Sequence, residues 1–270
     1  MGNLNPNSTN YVHSYEPNTN DLTMAMDYNS AGQPNLRINN FSLDISRGAV
    51  PGHSFIHKFG AVPSMAQNTT GTVWDVNDTV YPWSAFDTAG VINIDRDSAG
   101  DANKIVTVVG LDSNYLPATE NITLTNASNN TGTILWQRVF RAFVSDGETN
   151  VGNIDIQRNS TTVARITAGL GQTLMAVYTV PAGKTGYLYQ GVCTAQASAD
   201  GTGNMYIRYF GQSSFRVGHS FEVAGVGGLY TYEFAFPIPI PEKSDIDVRI
   251  TTRTNNGRYT AAFDLLLVDN

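Results

Sequence analysis

Apolar and polar residues alternate along most of the chain from Phe41 to Val268, at the two-residue period of a half-buried β-strand. The alternating segments are separated by short runs of Gly, Asn, Asp, Ser and Pro, which are turn-forming residues. Strands are predicted at residues 41–45, 53–59, 71–76, 90–94, 104–109, 120–125, 134–144, 173–180, 187–193, 204–210, 215–217, 230–236, 246–250 and 259–268. This spacing predicts an all-β protein built as an antiparallel β-sandwich or jelly roll.

Residues 1–38 differ from the rest of the chain, because they are rich in Asn and their few apolar residues follow no sustained period. We predict an extended N-terminal arm there. It is either a free terminus or an arm that becomes ordered against a neighbouring subunit. Its candidate anchors are Tyr11, Tyr15, Met24, Met26 and Tyr28. A break in the strand pattern near residues 159–171 then predicts two β-sandwich-like domains, residues 39–160 and 161–270.

The composition changes this picture in two ways. Hydrophobic residues make up 41% of the 270-residue chain, so a sizeable core is expected. Charged residues make up only 14%, against about 25% in ordinary soluble domains. The net charge of −7 and the absence of a basic run argue against a nucleic-acid partner. No apolar run is long enough to cross a bilayer, so no membrane partner is expected either.

Two segments carry residues that could bind a metal ion. His53 and His57 share one face of a predicted strand and could bind a metal together with Asp44 or Asp75. The alternative is a pair of ordinary half-exposed histidines. Residues 95–103 have the acidic spacing of a calcium loop, but they lack its final bidentate Glu and its flanking helices. A hairpin loop is the favoured interpretation, and no metal site is predicted.

The sequence also contains no recognisable catalytic grouping. Cys193 is the single cysteine, and its apolar neighbours predict a small buried side chain rather than a reactive thiol. Pro241–Asp247 is the densest charge cluster and is predicted to turn the chain between two strands. Phosphate loops, dinucleotide fingerprints and Cys/His clusters are absent from the sequence. We therefore predict a protein that is not an enzyme, with no catalytic, cofactor-binding or metal-binding residue.

Several segments resemble capsid-associated virion structural proteins of tailed bacteriophages, especially marine phages. The resemblance covers most of the chain from residue 46 onward and lies in segments 46–60, 73–75, 109–114, 120–124, 171–186 and 241–249. It implies a location in the particle and carries no catalytic residues. The arm is not part of it.

Together these observations predict a viral structural protein, a capsid decoration or cement component attached through its arm and sheet surfaces. Its expected partners are the major capsid protein, other virion proteins and further copies of itself, with a trimer as the expected homo-oligomer. The first residues show no signal-peptide pattern, so synthesis in the host cytoplasm and location in the virion are expected. The alternative is a tail or fibre component that binds a host receptor or glycan, with candidate contact residues Tyr206, Tyr209, Tyr230 and Tyr232.

Overall fold

A computed structural model describes residues 27–28, 34–35, 41–196, 198–224 and 228–270. These residues fall into two compact units, Met1–Val50 and Pro51–Asn270. The described part is almost entirely β-structure and antiparallel, which confirms the predicted fold class. Among the described segments, no helix is long and apolar enough to cross a membrane.

The first unit contains a two-stranded pair, β1 (Asp27–Tyr28) and β2 (Pro34–Asn35), and helix α1 (Phe41–Ser46). The rest of the predicted arm, with its candidate anchors apart from Tyr28, lies outside the described residues. The strand predicted at residues 41–45 is wrong, because this segment is helical. Phe41 and Ile45 are four residues apart and so share a helix face as readily as a strand face. A five-residue alternation is too short to separate the two.

The described residues of the second unit form sixteen strands and two short 3₁₀ helices, Trp83–Phe86 and Ala99–Asp101. The strands are β3 (His53–Met65), β4 (Thr70–Thr72), β5 (Asn93–Arg96), β6 (Ile105–Asp112), β7 (Pro117–Thr123), β8 (Asn130–Thr131), β9 (Trp136–Val144), β10 (Ile154–Arg158), β11 (Thr161–Ile166), β12 (Val177–Thr179), β13 (Lys184–Ala195), β14 (Gly201–Arg208), β15 (Arg216–Val223), β16 (Leu229–Ile240), β17 (Asp245–Thr252) and β18 (Gly257–Asp269).

Nine of these strands form a jelly roll. One sheet has the order β16-β13-β18-β3, and the other has the order β15-β14-β17 followed by β12 and β4, which both pair with β17. β4 pairs with residues 249–251 and β12 with residues 245–247, so the two short strands lie end to end as one interrupted strand. Counting them as one gives eight strands in the orders 6-3-8-1 and 5-4-7-2. This is the double Greek key of a jelly roll.

The interruption is an inserted module of about a hundred residues. The chain leaves the jelly roll after Thr72 and returns at Val177, and Ala176 N–H donates to the carbonyl of Val73 at 2.9 Å where the two ends meet. The module contains one sheet of order β11-β10-β5-β8 and another of order β7-β6-β9. Its apolar side chains, among them Trp136 and Ile154, belong to the same buried core as the jelly roll.

This arrangement differs from the predicted division into residues 39–160 and 161–270. β3 and β4 of the first half pair with β18 and β17 near the end of the chain, so the jelly roll uses both halves. The physical reason is that alternation reveals where strands lie but not which strands pair. Partners separated by about two hundred residues leave no local signal.

Candidate assembly surface

The edge strands β15 and β16 lie at the same end of the two jelly-roll sheets. Among the described strands β15 pairs only with β14, and β16 only with β13. Each therefore has one side without a ladder partner. The two strands follow one another in the chain and are joined across residues 224–228. Unpaired sheet edges are the places where a β-protein most readily contacts another chain.

A row of aromatic side chains connects these two edge strands. We call His219, Phe221, Tyr230, Tyr232 and Phe234 the aromatic seam. The Phe221 and Tyr230 rings stack with centroids 4.7 Å apart, and the His219 ring lies 4.9 Å from that of Tyr232. Because the seam joins a strand of one sheet to a strand of the other, it closes this side of the sandwich.

His219 is held inside the seam by a hydrogen bond. Its Nε2 lies 2.5 Å from the hydroxyl of Tyr230. Burial lowers the pKa of His219, which favours the neutral ring. Gly203 leaves room for the seam, since a Cβ on this residue would lie 2.0 Å from a Phe221 ring carbon.

The edge strands also expose large apolar side chains, one of them the seam residue Tyr232, and we call this set the edge patch. Its members are Val217, Leu229, Tyr232 and Phe236. Phe236 is 90% exposed, the largest value among the exposed large hydrophobic residues of the described chain. In the strand register Leu188 opposes Ile238 and Gln190 opposes Glu233, so residues 234–237 form a bulge opposite Tyr189. The bulge carries Phe236 away from the ladder.

Few charges protect this edge. β15 and β16 contain only Arg216, Glu222 and Glu233 as charged residues. Glu222 is already paired, since it accepts a hydrogen bond from Arg253 at 2.6 Å. Pro237 and Pro239 lack an N–H and limit strand addition at the far end of β16. We therefore expect partners to pack through the exposed side chains of the patch more than through added strands.

The candidate metal ligands do not form one cluster. His57 Nδ1 lies 2.5 Å from Asp264 Oδ1, and Gln190 also donates to Asp264. Asp75 instead accepts a hydrogen bond from the Thr167 hydroxyl at 3.0 Å, and burial raises its pKa to about 6. Nowhere in the described segments do three His, Cys, Asp or Glu side chains group as metal ligands. Asp44 lies in the first unit, on α1.

The acidic loop at residues 95–103 uses its carboxylates to hold the backbone. Asp101 is fully buried and accepts hydrogen bonds from the N–H groups of Val151 at 2.7 Å and Gly152 at 2.8 Å. Asp95 accepts one from the N–H of Asn129 at 2.9 Å. These bonds join the loop to two neighbouring loops, which is a structural role.

The candidate glycan-contact tyrosines do not lie together either. Tyr206 lies in β14 and Tyr209 directly follows that strand, whereas Tyr230 and Tyr232 belong to β16 in the opposite sheet, so the four tyrosines do not line one groove. Cys193 is buried, and burial raises its pKa to about 12, which agrees with an unreactive thiol.

The sequence interpretation missed Phe236, although residues 230, 232, 234 and 236 are aromatic at a period of two. That signal ordinarily marks a core face.

Comparisons with known proteins identify no family. No protein-family model matches the chain, and no curated protein matches it. Among solved structures, that of the infectious bursal disease virus Gx strain is 11% identical with a TM-score of 0.21, covering 80% of this chain and 72% of that one. The VP2 subviral particle of the same virus is 10% identical with a TM-score of 0.22, covering 86% and 78%. The jelly-roll assignment rests on the strand order described above.

Proposed function

We propose that this protein is a structural, non-catalytic component of a virus particle. More specifically, it is a decoration or cement protein that binds the shell and further copies of itself. The observation that carries the proposal is the edge patch on β15 and β16, with Phe236 90% exposed on a bulge. Exposed apolar side chains on strands that each have an unpaired edge favour a protein–protein contact.

The fold agrees with this proposal without deciding it. Jelly rolls occur in viral shells, in lectins and in cupins, so the strand order alone assigns no function. A low-charge surface and a poorly protected sheet edge favour assembly among these possibilities. The resemblance to capsid-associated phage proteins points the same way. In a particle, many copies act together, so a modest affinity per contact gives a large total avidity.

The arm at residues 1–38 is the proposed attachment to the shell, and the edge patch is the proposed contact between copies. The two roles predict different defects. A chain that lacks residues 1–38 should still form the homo-oligomer but should no longer bind the shell. A chain with a disrupted patch should lose the homo-oligomer and bind shells with lower avidity.

The first experiment is to express the full chain alone and examine it by negative-stain electron microscopy. A decoration protein forms small closed oligomers, whereas a shell-forming protein builds closed shells. The second is binding to undecorated phage particles, measured with the full chain and with the chain lacking residues 1–38. Saturable binding that requires the arm supports the proposal. Coating of host cells with no binding to particles contradicts it.

A tail or fibre component that binds a host glycan is the second candidate function. The observation that favours it is a small cleft with aromatic and cationic walls beside Phe210 and Lys243. No residue of the edge patch lines this cleft. Coated host cells in the experiment above would support this second function.

A further inference from the structure

A cleft of about 170 Å³ opens where the inserted module meets the jelly roll. The inserted module contributes Tyr115, Gln137 and Arg138 to its walls, and the jelly roll contributes Phe210, Gln212 and Lys243. Junctions between modules are common positions for ligand sites. The volume is below the roughly 300–1,000 Å³ of drug-sized sites, so the cleft has room for one small ring.

Two residues of the cleft have an unusual backbone conformation. Tyr115 has φ 62° and Lys243 has φ 60°, both in the left-handed region. Every other described non-glycine residue with positive φ is Asn or Ser. Asn tolerates this region well, but a bulky side chain there is an outlier. Outliers of this kind concentrate at functional sites, and both of these border the same cleft.

The cleft has positive charge in excess. Arg138, Arg208 and Lys243 border it, against the two carboxylates Asp87 and Asp245. Asp245 is already engaged by both arginines, at 2.8 Å from Arg138 Nε and 2.6 Å from Arg208 Nη2. The Lys243 ammonium forms no ion pair with a described residue, so it is the cation available to a ligand. This local excess stands out in a chain of net charge −7.

Aromatic faces lie beside this cation. The Lys243 Nζ is 5.1 Å from the centroid of the Phe210 ring and 6.0 Å from that of Tyr115. Phe210 is 59% exposed on a tight turn, in which the N–H of Gln212 donates to the carbonyl of Tyr209 at 3.0 Å and Gly211 has φ 79°. An exposed ring beside a free ammonium offers an apolar face and a positive charge to the same ligand.

We propose that this cleft binds a carboxylated monosaccharide unit, such as the uronic acid residue of an acidic glycan. The apolar face of the sugar ring packs on Phe210, and its carboxylate pairs with Lys243. Gln137 and Gln212 supply amide groups for the sugar hydroxyls; Gln137 donates through Nε2 to the carbonyl of Phe86 at 2.6 Å, which leaves its amide oxygen for the ligand. This proposal does not depend on the edge patch or on the proposed place in the particle.

The test is titration of the full-length protein with glucuronate, glucose and acetate separately, with binding measured by ligand-observed NMR. Glucuronate is expected to bind saturably. Glucose and acetate are each expected to bind with an affinity at least about tenfold lower. Lys243→Asn removes the ammonium and places at this position a residue that accepts positive φ, so the fold is retained. This substitution should lower the affinity for glucuronate about tenfold. Lys243→Arg should retain most of the binding.

The controls separate the two contacts. Phe210→Ala should weaken glucuronate and glucose alike, since it removes the stacking face for both. Lys184→Gln removes a cation that pairs with Asp269 elsewhere and should change nothing. Glucuronate that binds no better than glucose, or that is unaffected by Lys243→Asn, overturns the proposal. Acetate that binds as well as glucuronate shows a simple anion site and also overturns it.

Discussion

Arg138 of the inserted module donates two hydrogen bonds to Asp245 of the jelly roll, from Nε at 2.8 Å and from Nη2 at 3.0 Å. Both side chains are buried. Arg208 and the Thr179 hydroxyl donate to the same carboxylate, at 2.6 Å each. Beside it, Asp247 accepts hydrogen bonds from Trp83 Nε1 and the Thr72 hydroxyl, both at 2.8 Å. These two carboxylates of β17 attach the inserted module to the outer face of its sheet.

The first prediction concerns this attachment. Asp245→Asn keeps the shape of the side chain but leaves Arg138 and Arg208 without their counter-ion. Removing one partner of a buried ion pair costs about 3–5 kcal/mol, so we expect a loss of this size in the free energy of unfolding. Urea unfolding monitored by Trp fluorescence measures it. Asp200→Asn removes the exposed partner of Arg253 and is the matched control, for which we expect no measurable loss. Equal effects of the two variants would contradict this account.

The second prediction concerns the buried Lys58, which donates a hydrogen bond to the carbonyl of Phe140 in the inserted module. Burial, and secondarily the nearby Arg141, lowers the pKa of Lys58 to about 7. In the unfolded chain this lysine keeps its proton up to about pH 10.5. Between these values the unfolded state binds one more proton than the folded state, so this group makes stability rise with pH.

Lys58→Met removes that titration and leaves a side chain of similar length. Between pH 7.5 and 9.5 the free energy of unfolding of the wild-type protein should rise by about 1.4 kcal/mol per pH unit relative to the variant. Urea unfolding of both proteins at several pH values measures the difference. Parallel pH profiles would show that Lys58 is not buried as described. The variant also deprives the Phe140 carbonyl of a hydrogen-bond donor, which lowers its stability at every pH. The slope of the free energy of unfolding against pH, and not its absolute value, is therefore the quantity that tests the prediction.

The third prediction concerns the close approach of β3 to the two ends of the inserted module. A Cβ on Gly60 would lie 2.1 Å from the carbonyl oxygen of Val73 and 2.4 Å from the amide nitrogen of Ala176. These are backbone atoms and cannot move aside as a side chain can. Gly60→Ala should therefore destabilise the protein by about 3 kcal/mol, near the upper end of ordinary overpacking. Thermal unfolding followed by circular dichroism measures it.

Gly191→Ala is the control for this substitution. Gly191 lies in the same sheet, and the nearest atom to an added Cβ is a carbonyl oxygen at 3.9 Å. We expect almost no change in the unfolding temperature. A tolerated Gly60→Ala would mean that β3 and the interrupted strand are further apart than described.

The sequence predicted most of the strands, because the period-two alternation is a local property. The C-terminal run shows this, because every second residue from Gly257 to Leu267 is buried. The sequence interpretation missed β10, and also β11, which lies where a break in the pattern was predicted. The pairing was not predictable in the same way. Nothing in the residues near Thr72 shows that the chain leaves a sheet there and returns to it at Val177. The inserted module was therefore assigned together with the first strands of the jelly roll.

The candidate surface was predictable only in part. Tyr230, Tyr232 and Phe234 of β16 recur at every second position, which correctly places them on one face. Whether such a face is buried depends on which strand lies beside it, and β16 turned out to be an edge strand. The bulge that exposes Phe236 depends on the register with β13, a strand about forty residues earlier in the chain. Neither property has a local signal.

The central claim is that the edge patch holds copies of this chain together, and the oligomeric state in solution tests it most directly. Analytical ultracentrifugation of the wild-type protein should give a closed oligomer, three times the 29.2 kDa chain mass for the expected trimer. Phe236→Ser should dissociate it toward the monomer with an unchanged circular dichroism spectrum. Phe55→Ser, at an exposed Phe of β3, should not. A wild-type monomer, or an oligomer that survives Phe236→Ser unchanged, would contradict the account.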